Sequence, residues 1–134
     1  MPTGALAFLD GLRARLPDHR LLLADFDALP RPAGRDAAAR NAPLVAAADR
    51  DLDGYADAAG DADIFFATDF DYLARAYVSL GLGGPADVEA PKSRDFFARD
   101  ALAARAATRS GYNPLLEDFA NTRVFLAAPR GAGP

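Results

Sequence analysis

The sequence predicts an α/β fold in which helices flank a mostly parallel sheet. Helical and strand-like segments alternate along the chain, in the order helix, strand, loop, strand, helix, helix, strand. The strand-like segments are short, uninterrupted apolar runs, which are typical of strands covered on both faces. Since 134 residues leave room for one hydrophobic core, we expect one domain over residues 1–128 and a disordered tail over residues 129–134.

The first two predicted elements are a helix and a strand. Leucines at helical spacing predict a helix over residues 3–16, and a Pro-Asp pair then ends the pattern. The apolar run at residues 20–26 predicts a buried strand. This assignment puts Asp25 and Asp27 at the C-terminal end of the strand.

The middle of the chain repeats the strand-then-helix order after a loop. Residues 29–40 are rich in Pro, Gly and Arg and predict a surface loop, and residues 44–45 predict a brief strand. The apolar run at residues 63–68 predicts a second buried strand. Apolar residues at helical spacing then predict a helix up to residue 80, which Gly81 ends.

The last third of the chain completes the alternation. Residues 83–91 have the composition of a linker, and a long helix is predicted over residues 93–109. A helical turn at residues 115–119 and a final strand at residues 122–127 follow.

Composition excludes several functional classes. The net charge of -4 has the wrong sign for binding nucleic acid or an anionic membrane, and no apolar run approaches the length of a bilayer span. The chain has no Cys and one His, so it has too few ligands for a zinc or thiolate site. We expect the single histidine, His19, to be a surface turn residue and not a general base.

The predicted strand ends carry the first indication of a site. In open parallel sheets, ligands bind beyond the carboxyl ends of the strands, where Asp25, Asp27, Thr68 and Asp69 are expected. Their oxygens suit an amine, a guanidinium or a ribose. The structural alternative is that these side chains cap the following turn or helix, and an N-cap is the simplest role for Thr68 or Asp69.

Residues 49–57 carry a second pattern, because they match several positions of a helix–loop–helix calcium loop. Position 12 of the loop is Gly60 where a bidentate Glu is required, and the preceding segment is a poor entering helix. A solvated acidic loop is therefore the better interpretation, and a calcium-binding module is an alternative hypothesis.

Five segments, taken in order, resemble the second half of one protein family. They are Pro2–Gly4, Pro17–Pro30, Asn41–Val45, Asp63–Phe70 and Thr108–Leu116. These segments look like the MidA-like S-adenosylmethionine-dependent methyltransferases, whose mitochondrial members are protein arginine methyltransferases of respiratory complex I assembly. The resemblance runs from about Pro2 to Leu126 and is closest to the longer eukaryotic branch.

The resemblance implies the C-terminal part of a Rossmann-like methyltransferase sheet with flanking helices. It implies S-adenosyl-L-methionine as cofactor, a protein substrate with arginine and a mitochondrial location, although acids near the N-terminus argue against a targeting peptide in this chain. The implied catalytic candidates are Asp25, Asp63 and Asp69. The implied substrate-binding candidates are Asp27, Thr68 and Phe70.

One part of the family pattern is missing from the chain. The glycine-rich cofactor loop of the family has no counterpart in these 134 residues, so the resemblance implies contact with a separate N-terminal cofactor-binding half. Methyl transfer to a nitrogen depends on in-line placement more than on acid–base groups, which agrees with a sequence rich in acids and aromatics. The alternative is a non-catalytic binding or assembly module that lost the cofactor loop.

Overall fold

A computed structural model describes residues 3–29, 43–48, 50–52 and 60–128 of the chain. The predicted tail and most of the predicted loop at residues 29–40 lie outside these ranges. The helices and strands are α1 (Thr3–Arg15), β1 (Leu21–Phe26), β2 (Leu44–Ala47), β3 (Arg50–Leu52), β4 (Asp63–Phe65), α2 (Phe70–Ser79), β5 (Val88–Glu89), α3 (Ser93–Phe97), α4 (Pro114–Glu117) and β6 (Thr122–Ala127). Short 3₁₀ helices span Pro85–Asp87 and Ala101–Ala106.

The strands form two antiparallel sheets of three strands each. The first sheet has the order β1-β6-β5, and its central strand β6 pairs with β1 along its whole length, from Leu21 opposite Ala127 to Phe26 opposite Thr122. The second sheet has the order β3-β2-β4. Beyond β5 the pairing continues as a bridge between Lys92 and Arg123.

The mixed helix-and-strand class is confirmed, but the prediction of a mostly parallel sheet is wrong for the described strands. Parallel neighbours need a crossover connection of about a dozen residues or more. Only residues 48–49 separate strands β2 and β3. A connection this short permits an antiparallel hairpin and excludes a parallel pair. The pairings of β1, β5 and β6 are also antiparallel, so the Rossmann-like arrangement expected from the resemblance is not confirmed.

The core lies between α1, α2 and one face of the first sheet. Phe70, Leu73 and Tyr77 recur at helical spacing along α2 and are all buried. They pack with Leu9 of α1 and with Phe125, the fully buried residue of the central strand β6. Helix α2 is thus held against the sheet, which fixes the position of its N-terminus.

The apolar strands are covered on fewer faces than the sequence predicts. Leu21 and Leu23 of β1 pack against the core, whereas Leu22 between them is 59% exposed. In the predicted second strand, Ile64 and Phe66 are also about half exposed. Strands β1 and β4 lie at the edges of antiparallel sheets. Because an antiparallel sheet can pack one face on the core and leave the other in solvent, alternate side chains of these strands are exposed.

The C-terminal third differs from the predicted linker and long helix. The linker region contains a 3₁₀ turn and β5, which adds a third strand to the first sheet. The predicted helix over residues 93–109 is interrupted, because the carboxylate of Asp100 accepts a hydrogen bond from the Leu102 N–H and starts a 3₁₀ helix. The final strand is observed where it was predicted, at Thr122–Ala127.

His19 is buried, so the prediction of a surface turn residue is wrong. Its Nδ1 lies 2.8 Å from the Leu16 carbonyl oxygen, and its Nε2 lies 2.7 Å from the Tyr77 hydroxyl. Because a carbonyl can only accept, Nδ1 carries the proton and Nε2 accepts from Tyr77. Burial, with the negative charge of Asp87, raises the pKa of Tyr77 and keeps its hydroxyl a donor.

We predict that Tyr77→Phe lowers the free energy of unfolding by about 1–3 kcal/mol, because it leaves the buried Nε2 of His19 without a donor while keeping the ring in place. Tyr72→Phe on the same helix is the matched control and should change stability by less than about 0.5 kcal/mol. Urea denaturation measures both values. Equal effects of the two substitutions would contradict the assigned role of this hydrogen bond.

Candidate functional site

The two predicted strand ends meet in the structure, although they do not share a sheet. The Thr68 N–H donates to the Phe26 carbonyl at 2.8 Å, and the Thr68 hydroxyl donates to Oδ2 of Asp25 at 2.6 Å. Oδ1 of Asp25 accepts from the Phe26 N–H at 2.8 Å. Strands β1 and β4 belong to different sheets, so the expectation of neighbouring strands in one sheet is wrong while the meeting of their ends is observed.

The next residue, Asp69, is the N-cap of α2, as the sequence predicted. Its Oδ1 accepts the Tyr72 N–H at 2.8 Å, which satisfies one of the free donors of the first helical turn. Phe70 follows with its side chain in the core, where it is 3% exposed. Phe70 therefore fixes the helix start and does not offer its ring to a ligand.

A cleft of about 270 Å³ opens beside these residues. Its lining consists of Asp27, Ala67, Thr68, Asp69, Phe70, Asp71 and Arg123. The first turn of α2 contributes the acids Asp69 and Asp71, and β6 contributes Arg123. The cleft is thus polar and mainly acidic, with one cation among its lining residues.

Asp27, just beyond β1, is bound by two cations, Arg123 of the neighbouring strand β6 and Lys92 of the segment after β5. Lys92 Nζ donates to both carboxylate oxygens, at 2.8 and 2.6 Å, and Arg123 Nε donates to Oδ2 at 2.8 Å. The same cations also donate to the carbonyls of Ala120 and Ala90. Since the Lys92–Arg123 bridge places the two residues side by side, both reach the one acid.

The electrostatic balance at Asp27 favours its charged form. Burial alone would raise the pKa of Asp27, but hydrogen bonds from Lys92 and Arg123 and their positive charges outweigh it, so the pKa is lowered. Asp27 is only 13% exposed at its side chain. Its carboxylate is therefore engaged in a structural ion cluster and is not available to a ligand in this arrangement.

The structure gathers most of the predicted site residues at one place. Asp25, Asp27, Thr68 and Asp69 surround the junction of β1 with α2, and Phe70 supports it from the core. The remaining candidate, Asp63, begins β4 opposite Ala46 and does not line the cleft.

Three residues of the site were not predicted from the sequence. Asp71 was detectable, because acids are common in the first turn of a helix and the helix start was predicted. Lys92 and Arg123 lie in segments without any motif, and only the β6 register brings them to Asp27.

The acids of the cleft have capacity left for a ligand. Among the described residues, Oδ2 of Asp69 and both oxygens of Asp71 accept no hydrogen bond, while both oxygens of Asp25 and of Asp27 already accept at least one. Asp69 and Asp71 both line the cleft, and two carboxylates in one cleft can bind a cation that carries several N–H donors. The arrangement is therefore suited to an ammonium or a guanidinium group.

The calcium hypothesis for residues 49–57 is not supported where the structure describes them. The residues before the predicted loop form strand β2 and not an entering helix, and residues 50–52 form β3 in a hairpin with β2. Residues 49 and 53–57 lie outside the described ranges. Within those ranges, no group of three or more His, Cys, Asp or Glu side chains is placed to hold a metal ion.

A family model described as "putative S-adenosyl-L-methionine-dependent methyltransferase" matches residues 1–85, more than half of the chain. The matched range includes Asp25, Asp27, Thr68, Asp69 and Asp71. It ends before Lys92 and Arg123. No curated protein and no solved structure matches the chain. Within the described residues, none of the helices has the length and apolar character needed to cross a bilayer.

We predict that Asp27→Asn lowers the free energy of unfolding at neutral pH by about 1–2 kcal/mol, allowing for solvent around the two cations. Because the pKa of Asp27 is lowered from 3.8 on folding, its contribution is complete above that value and is lost as pH falls through the folded pKa. Denaturation curves from neutral pH to about pH 2 should show the variant and the parent converging at the acid end. A difference that stays constant with pH would contradict this account.

A second prediction compares two threonines. Thr68→Val removes the 2.6 Å bond to Asp25 and should lower stability by about 1 kcal/mol. Thr122→Val is the matched control, since the Thr122 hydroxyl is buried and has no hydrogen-bond partner among the described residues. Its removal should raise stability by about 1 kcal/mol. Thermal unfolding distinguishes the two, and shifts of the same sign would contradict the prediction.

Proposed function

The chain belongs to this family of S-adenosyl-L-methionine-dependent methyltransferases, and on that premise we propose that it forms the substrate-side part of a protein arginine methyltransferase. The observation that supports the proposal is the acidic cleft at the junction of β1 and α2, where Oδ2 of Asp69 and the oxygens of Asp71 accept no hydrogen bond from the residues that the structure describes. By the resemblance to the MidA-like branch, the proposal extends to mitochondrial proteins and the assembly of respiratory complex I.

The cleft chemistry suits a guanidinium. Carboxylates bind the planar N–H fork of arginine through two parallel hydrogen bonds, which fixes its plane as well as its position. Asp69 and Asp71 would take two edges of the fork and leave the third nitrogen directed out of the cleft. Because a methyl transfer requires the attacking nitrogen and the methyl group in line, such fixation is the main contribution that this part of the protein can make.

The residues that hold the acids are rigid, which favours this role. Asp69 is tied to the helix by its capping bond, and Phe70 anchors the helix start in the core. Thr68 is bound to β1 through both its N–H and its hydroxyl. Pre-organised ligands lose little entropy on binding, so the cleft can orient a flexible arginine side chain.

The described residues do not fit S-adenosyl-L-methionine as a whole. An adenine ring needs an apolar or aromatic slot, but the cleft lining is acidic and its one aromatic ring, that of Phe70, is buried in the core. The described residues fit only a cationic group. The proposal therefore assigns the cofactor to an N-terminal cofactor-binding half that contacts this chain.

A non-catalytic binding or assembly module is the second candidate function. It is favoured by the same lack of an adenine slot among the described residues and by the exposed apolar side chains of Leu22, Ile64 and Phe66, which lie on or directly after edge strands of the two sheets. Such a module would keep the cleft and bind an arginine-containing partner without modifying it. The two candidates share the cleft and differ in methyl transfer.

We expect an arginine-containing peptide to bind the cleft, and Asp69→Asn and Asp71→Asn each to weaken that binding by about tenfold, since each removes one charge-assisted contact. Asn caps a helix as well as Asp, so Asp69→Asn should leave stability nearly unchanged. Asp18→Asn, which removes an acid before the other end of β1, is the charge-matched control. NMR titration measures the affinities.

The outcomes of this titration separate the possibilities. Equal weakening by Asp18→Asn would indicate a non-specific charge effect and would contradict the proposed site. Asp63→Asn tests the remaining catalytic candidate; because Asp63 does not line the cleft, we expect this variant to behave like the control. Transfer of a labelled methyl group to the peptide supports the enzyme, and peptide binding without transfer in the presence of the cofactor-binding half supports the module.

A further inference from the structure

The ion cluster at Asp27 has an excess of positive charge. Lys92 and Arg123 each form an ion pair with Asp27, at 2.6 and 2.8 Å, so two cations share one carboxylate. Neither cation pairs with a second acid among the residues that the structure describes. At neutral pH the cluster therefore carries a net charge of about +1, next to the acids Asp69 and Asp71 in the lining of the same cleft.

The two cations differ in the N–H donors that they have left. An ammonium has three donors, and Lys92 Nζ uses them on the two oxygens of Asp27 and on the Ala120 carbonyl. A guanidinium has five, and Arg123 gives one from Nε to Asp27 and one from Nη1 to the Ala90 carbonyl. Its Nη2 donates to no described residue. Arg123 is therefore the cation of this cluster that still has donors for a ligand.

The unused donors of Arg123 belong to a residue that lines the cleft. The Arg123 side chain is 36% exposed and is part of the cleft lining. In a planar guanidinium, the Nε–H and one N–H of Nη2 point in the same direction. The Nε–H meets Asp27, which also lines the cleft, so Nη2 is directed to that side as well. An acceptor that enters the cleft beside Asp27 can bind Nη2.

Charge favours a carboxylate as this acceptor. A carboxylate neutralises the excess charge of the cluster and accepts charge-assisted hydrogen bonds, whereas an amide carbonyl does only the second, and more weakly. The acids of α2 would repel an anion that entered alone, but not one that is accompanied by a cation. A ligand with both charges close together therefore matches the whole lining. An arginine with an acidic residue beside it in a peptide is such a ligand.

We infer that Arg123 is a specificity-determining residue that binds the carboxylate of an acidic residue flanking the substrate arginine, while Asp69 and Asp71 bind the guanidinium. This inference rests on the proposed function, because it takes the cleft as the binding site of the arginine. The hydrogen bonds of Arg123 to Asp27 and Ala90 hold its side chain in position for this contact.

The test compares two peptides with blocked ends that differ only in the residues on either side of one arginine, Asp in one peptide and Asn in the other. NMR titration of the whole chain gives both affinities. The parent should bind the Asp peptide about two- to fivefold more tightly, the range expected for a solvent-exposed ion pair. Arg123→Gln should bring this ratio to about one. Arg20→Gln, which removes an exposed cation before the other end of β1, is the matched control and should keep the ratio.

A second variant separates ligand binding from the structural role of Arg123. Arg123→Gln also removes the hydrogen bonds to Asp27 and Ala90 and lowers stability for that reason. Arg123→Lys keeps a cation for Asp27 but has no second donor edge, so its ratio should also fall towards one. The amide spectrum of each variant reports whether the fold is kept. Because the ratio is taken within one variant, a general loss of affinity cancels.

The outcomes distinguish this inference from the proposed function. Equal affinities of the parent for the two peptides, or a ratio that stays unchanged in both Arg123 variants, would overturn the inference and leave the proposed function standing. A fall of the ratio in Arg20→Gln as large as that in Arg123→Gln would reduce the preference to a general charge effect and would also overturn it. If the parent chain binds neither peptide, the proposed function fails as well.

Discussion

The attachment of Thr68 to the end of β1 is the constraint on which the candidate site depends. No described strand of one sheet pairs with a strand of the other. The hydrogen bonds from Thr68 to Phe26 and Asp25 connect the segment after β4, in the second sheet, to β1, an edge strand of the first. Helix α2 begins at Phe70, two residues after Thr68, and packs into the core. The hydrogen bonds of Thr68 therefore determine the position of the first turn of α2 relative to β1. Without the hydrogen bonds of Thr68, the distance between the acids at the start of α2 and the ion cluster at Asp27 would not be fixed.

The charged residues around the cleft form two groups. Asp27, Lys92 and Arg123 are bound to one another, whereas Asp69 and Asp71 form no ion pair with another described residue. The Asp27 carboxylate accepts hydrogen bonds from Lys92 and Arg123, and these two cations also donate to the backbone carbonyls of Ala120 and Ala90. Among the described residues, both cations donate to the carboxylate of Asp27 and neither donates to the acids at the start of α2. A chain with a modest net charge of -4 therefore keeps a local acidic surface that a cationic group can enter.

The sequence predicted those parts of the structure that depend on local patterns. The apolar run before Asp25 marks β1, the spacing of Phe70, Leu73 and Tyr77 marks α2, and an acid at a helix start marks the cap at Asp69. Strand direction and partners depend on contacts distant in sequence, which explains the wrong parallel sheet and the missed β5. The same reason applies to Arg123 and to His19, whose burial follows from Tyr77, 58 positions along the chain.

The position of the free acids on a helix start limits how strongly the cleft can bind. The N-terminus of α2 carries a partial positive charge, which offsets part of the negative charge of Asp69 and Asp71. The cleft is also open to water, so each remaining ion pair contributes little net free energy. Charge alone would then distinguish arginine from lysine poorly. Selectivity has to come from shape, because a planar guanidinium can meet carboxylates through two parallel hydrogen bonds, which a compact ammonium cannot do.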